Sequence, residues 1–137
     1  MKSHWNLNDQ EFSQQFAACT LDPALFSHEA HLRLAWILLS QNELRRASAL
    51  LCQQIKNFDQ HFGDGSKFHR TLTEAAVRAV YHFKQKSQSD NVRDFLNEFP
   101  RLGSHFKEII AQHYGFDLFS HSEARHRYIE PDLVPFT

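Results

Sequence analysis

The sequence predicts an all-α protein, a single-domain helical bundle of about five to six helices with an extended C-terminal tail. Three observations predict it. The 137 residues include only four glycines and four prolines, too few for the many tight turns of a sandwich or barrel. Apolar residues recur at three- and four-residue spacing over long stretches. Residues able to cap helices stand just ahead of those stretches. A chain of this length builds one core, and thirteen phenylalanines make that core rich in rings.

The elements follow in order. Asn8 caps a first helix, and Glu11 three residues on completes a capping box. That helix runs to about Ala18 and ends near Thr20. Asp22-Pro23 makes a short turn, since proline suits a first helical position. Ser27 caps a second helix over about 28–40, whose LAWILL segment is apolar nearly all round and therefore buried on most sides. A break at Gln41-Asn42 precedes a third helix over about 43–61, with Ala47, Leu50, Leu51, Ile55 and Phe58 as its core stripe. Gly63 and Gly65 end it. Ser66 is the expected cap of a fourth helix, 67–85, with Leu72, Ala75, Ala76, Ala79, Val80 and Phe83 facing inward. The polar stretch KQKSQSDN reads as a loop. Shorter helices are expected over 91–98 and 104–114, separated by Pro100 to Gly103. Ser120 and Glu123 suggest a second capping box opening a last short helix. The tail YIEPDLVPF is expected to lie extended on the helices.

Composition excludes some functions. A net charge of −1 gives no electrostatic case for nucleic acid or an anionic membrane. The longest apolar run, 34–39, is far short of a membrane span. Cys19 and Cys52 have no metal-type spacing and read as reduced, mostly buried thiols. The start MKSHWNLNDQ lacks the apolar stretch of a secretory signal. The expectation is a soluble, cytoplasmic protein.

Ten histidines make imidazole the chemistry to follow, because it is the commonest metal ligand and the usual acid or base near pH 7. If helices two, three and four run up, down and up, then His28, His31, His61 and His69 share one end. His28 and His31, three apart, also share a helix face. The sequence therefore nominates His28, His31 and His69 as ligands of a divalent transition metal or of a small molecule. His61 is a less favoured fourth, because the third helix is ~9 Å longer than the second and carries it past the others. Helix N-termini disfavour imidazolium at His28 and His69. Glu29, Asp64 and Glu74 are carboxylates available to orient an imidazole. His4, His82, His105 and His113 read as surface or half-buried polar residues, and His121 and His126 lie on the C-terminal segment, which could bring them to the site.

Arg33 and Arg125 are nominated to hold an anionic group, as guanidinium forks suit carboxylate and phosphate. The favoured alternative for Arg125 is an ion pair with the Pro-Asp-Leu segment that pins the tail. Glu74 and Arg78 read as an i, i+4 surface pair. Several motifs fail. HEAH is one residue short of HExxH, and no adjacent His-Asp pair occurs. Glu-x-x-His occurs once, at Glu123 and His126, whereas di-iron bundles need it twice. GDG lacks the lysine and spacing of a phosphate loop, and no GxSxG elbow is present.

The segments SHEAHLRLAWILL, FHRTLTEAAVRAV and SEARHRYIEPDL together resemble a family of small bacterial helical proteins with no established function. The likeness spans about 27–133. It combines a Ser/Thr-His-x-x-His-Leu-Arg helix start, an aromatic-His-x-Thr start, and Ser-x-x-Ala-Arg followed by Pro-Asp-Leu. The matching positions are His28, His31, Arg33, His69, Thr71, Thr73, Arg125 and Asp132. Arg70 stands where that pattern has an acidic residue. The resemblance implies that the three segments act as one unit, and it implies no activity. Three function classes follow from the residues: a metal-dependent or acid/base enzyme, a module binding a metal or small molecule without turnover, and an interaction protein with solvated histidines.

Overall fold

Capping and apolar spacing produce helices throughout the computed structural model, which describes residues 3–136. Eight α-helices form: α1 Asp9–Ala17, α2 His28–Gln41, α3 Leu44–Phe62, α4 Arg70–Lys86, α5 Val92–Glu98, α6 Arg101–Ser104, α7 Phe106–His113 and α8 Ser122–His126. A 3₁₀ turn at His4–Asn6 precedes α1, two more at Pro23–Leu25 and Leu118–Ser120 lie between helices, and no strand occurs among the described residues. The count exceeds the expected five to six. The stretch from Pro100 to Gly103, expected to separate two helices, itself forms α6, the helix expected over 104–114 forms as α7, and the last short helix expected after Ser120 forms as α8.

Local chemistry explains most of the boundaries. Asn8 Oδ1 accepts from Glu11 N while Glu11 Oε1 accepts from Asn8 N, the reciprocal cap expected for α1. Past its end, Cys19 takes a left-handed φ of 58°, the conformation a helix C-terminus often uses but usually gives to glycine. Ser27 Oγ caps α2 at Ala30 N.

Two expected caps are replaced by histidines. Asp59 Oδ2 accepts from both Lys67 N and Phe68 N, and Asp64 Oδ1 accepts from Ser66 N. Those donors are therefore satisfied from α3 and the turn. The chain stays non-helical until His69, whose Nδ1 caps Leu72 N. Ser120 instead donates to Asp117 Oδ2 within its 3₁₀ turn, and His121 Nδ1 caps α8 at Ala124 N.

The three longest helices, α2, α3 and α4, pack against one another. α1 lies on α2 and α3, α5 and α6 on α2, and α8 on α4. Leu32, Leu34 and Ala35 of α2, Ala47 and Leu51 of α3, and Ala75, Val77 and Val80 of α4 are fully buried in one cluster. Phe16 stacks on Phe26 and Phe58 at centroid distances of 4.5 and 4.6 Å, and Phe58 meets Phe62 at 4.8 Å. This ring stack runs from the core to the surface, where Phe62 is 45% exposed.

The tail is tied down, but not by the expected ion pair. Asp132 Oδ1 accepts from Gly115 N at 2.7 Å, and Leu133 N donates to the His113 carbonyl. Tyr114 Oη donates to the Ile129 carbonyl, and Phe136 is buried. Arg125 donates elsewhere, to the carbonyls of Ser66 and Phe68. Glu74 likewise pairs with Arg70 at 2.6 Å rather than with Arg78, whose guanidinium lies over the Tyr128 ring.

Candidate functional site

The start of α2, the end of α3 and the start of α4 enclose a cavity of about 510 Å3, and His28, His31 and His69 all line it. Its walls are mostly aromatic, with Phe26, Phe58, Phe62, Phe68, Phe106 and Phe119, and Ile55, Leu72 and Ala76 complete them. Asp59, Lys67 and Thr73 are the other polar contributors. A cavity of this size, apolar with few polar groups, has the dimensions of a small-molecule pocket. Phe62 and Phe119, two of the four large apolar residues most exposed on the described surface, both sit on it.

The three imidazoles differ in what remains free. His69 is 6% exposed and both of its nitrogens are used. Nδ1 accepts from Leu72 N at 3.1 Å, and Nε2 donates to the Leu118 carbonyl at 2.9 Å. These bonds require the neutral ring with its proton on Nε2. Burial, with the nearby Arg125 charge, holds its pKa below the ordinary histidine value. His28 uses one nitrogen: Nε2 donates to the Leu102 carbonyl at 3.0 Å, anchoring the start of α2 to α6, so in the neutral ring Nδ1 keeps its lone pair.

His31 uses neither nitrogen. Its Nε2 is sealed from solvent without a hydrogen-bond partner, and no protein group bonds its Nδ1 among the described residues. The ring stacks on Phe26 at 5.9 Å. Burial, and secondarily the His28 charge, pushes its pKa down to about 4, so it is neutral at physiological pH.

The other nominated residues lie outside this cavity. His61 is exposed, with its ring edge against Phe62, and Phe58, Asp59 and Phe62 represent the end of α3 instead. Arg33, 2% exposed, is turned away because residues two apart on a helix do not share a face. Its Nη1 donates to the His4 carbonyl and its Nη2 to the Leu7 carbonyl, at 2.6 and 2.7 Å, and it pairs with Asp9 at 2.9 Å. It clamps the N-terminal segment. Arg125 touches the cavity only through the backbone of Phe68, which it holds in place. Of the carboxylates nominated to orient an imidazole, Glu29 bonds His4, Asp64 bonds Ser66 N and Glu74 bonds Arg70. Among the described residues no group of three or more His, Cys, Asp or Glu side chains converges to hold a metal ion.

The phenylalanine walls, Asp59 and Lys67 were not nominated from sequence. The available signal was the Phe58–Phe62 pair at i, i+4, which carries the α3 core stripe one turn past the point where the core needs it.

Comparison of the chain with protein-family models, with curated proteins and with solved structures gives no match. The site's own chemistry therefore carries the functional reading.

Proposed function

We propose that the protein is a non-catalytic binding module of one helical bundle, and that its end cavity takes an aromatic or alkyl small molecule with one hydrogen-bonding group directed at His31. The observation that carries this reading is an imidazole with no protein partner set among phenyl rings in a 510 Å3 cavity. Burying a polar group without a partner is costly, and a ligand donor or acceptor would relieve that cost. The rings would supply most of the affinity, at about 25 cal/mol per Å2 of apolar surface covered.

Two points favour this over acid/base or metal chemistry. A general base works best with a pKa near the working pH, and His31 lies well below it at about 4. A metal needs an unshared nitrogen lone pair from each imidazole, and the His69 pair is already committed to Leu72 N.

The test uses a neutral apolar fluorophore, N-phenyl-1-naphthylamine. Saturable 1:1 enhancement is expected from the wild type, with weakened binding in Ala76→Met, which adds bulk to the cavity wall while circular dichroism stays unchanged. Unsaturable binding, or equal affinity in Ala76→Met, would contradict the reading.

A further inference from the structure

The N-terminal half of α3 faces the first half of α4 across a second cavity of about 560 Å3, which shares no lining residue with the first. Arg45, Ser48, Arg70 and Arg78 line it together with Glu43 and Glu74. Their bonds leave an imbalance. Arg70 Nε donates to Glu74 Oε2, and Glu43 Oε1 caps Arg46 N at the start of α3. Arg45 and Arg78 have no carboxylate within salt-bridge distance among the described residues. Glu130 faces Arg78 only in the adjoining cleft, without pairing.

Two of the lining residues carry a buried donor that lacks an acceptor among the described residues. Ser48 is 5% exposed, and its Oγ has no partner. A helical serine usually donates back to the carbonyl one turn earlier, and this one does not. Arg78 Nε is also buried without a partner, although its guanidinium packs on Tyr128 at 4.7 Å. Buried donors in folded proteins are nearly always satisfied. The 19-residue α3 also turns its N-terminus, with its partial positive charge, toward the same place.

We propose that this cavity binds a small oxyanion group, a phosphate or carboxylate carried by a small molecule. Arg78 supplies a guanidinium fork matched to two oxygens. Ser48 supplies a hydroxyl donor, and Arg45 with the first turn of α3 supplies the remaining positive field. Arg70 stays with Glu74 and shapes the wall.

The test titrates the whole chain with inorganic phosphate and, separately, with acetate at constant ionic strength against chloride. The Arg78 Nε–Hε signal is followed by NMR. A saturable shift with at least one anion is expected. Arg78→Gln and the exposed Arg45→Gln should each weaken binding about tenfold, and Ser48→Ala several-fold. N-phenyl-1-naphthylamine binding at the other cavity should not change in any of the three. Saturation by phosphate alone assigns a phosphoryl ligand, and saturation by acetate alone assigns a carboxylate. If neither anion saturates the signal, or if Arg45→Gln binds like the wild type, the proposal is overturned. Arg45→Gln carries the test should Arg78→Gln fail to fold.

Discussion

The backbone N–H of Leu72 donates to Nδ1 of His69 at 3.1 Å, so an imidazole serves as the N-cap of α4. The same ring donates from Nε2 to Leu118, 49 residues away, and thereby joins the helix start to the C-terminal region. His69→Ala should lose the cap and the tether together, destabilising the protein by about 2–3 kcal/mol. His69→Asn retains a capping acceptor and should lose roughly half as much. Urea unfolding at pH 7.5 measures both. Equal losses would mean that the cap contributes nothing.

Acid should unfold the protein through its buried imidazoles. Burial holds the folded-state pKa of His31 at about 4, against 6.5 for an ordinary histidine. Between those values the unfolded chain takes up a proton that the folded chain excludes. Stability is therefore full above pH ~6.5 and falls as pH drops toward 4, by up to about 3 kcal/mol from His31 alone. Burial lowers His4 and His69 as well, so they act in the same direction. His31→Phe should flatten the stability-against-pH curve between pH 6.5 and 4. An unchanged slope in that variant would exclude His31 as a source of acid sensitivity.

Arg33 is expected to be structural. Arg33→Met removes the side-chain donor to the Leu7 carbonyl, one of the two donors to the His4 carbonyl and the ion pair with Asp9, and should cost about 2–4 kcal/mol. It should also open residues 3–8 to limited proteolysis. Affinity of the end cavity for N-phenyl-1-naphthylamine should stay within about twofold of wild type, since a surviving fold leaves the pocket's apolar walls unchanged. A large affinity loss with little loss of stability would return Arg33 to the binding site.

The imidazole set should not act as a metal centre. With His69 committed on both nitrogens, wild type and His69→Asn should show the same weak, sub-stoichiometric uptake of Zn2+ by equilibrium dialysis. Stoichiometric uptake abolished by His69→Asn would mean that the cap opens to release a ligand.

What sequence could reveal followed the range of the interactions. The Asn8–Glu11 capping box and the Ser27 cap are contained within four residues, and both were readable directly. His28, His31 and His69 could be brought to one place because short connections oblige successive helices to reverse. The capping roles of His69 and His121 were not readable. Asp59 satisfies the donors that Ser66 would otherwise precede, and Leu118 selects the His69 tautomer; both relationships span helices. Arg33 was misplaced because its motif neighbour His31 faces the cavity while Arg33 itself lies around the helix. The pairing of Glu74 was ambiguous because Arg70 and Arg78 lie equally far from it along α4, and packing of Arg78 on Tyr128 decides it. The aromatic walls come from several separate segments, so no local pattern announced them.

In the proposed binding mode, His31 is the polar contact inside the end cavity. Its ring nitrogens can be followed by NMR while indole, neutral and aromatic with one N–H donor, is added to the whole protein. A saturable shift of the His31 nitrogens is expected, with those of His69 nearly still because both are already bonded. Saturable indole binding that moves His69 and leaves His31 unshifted would contradict it.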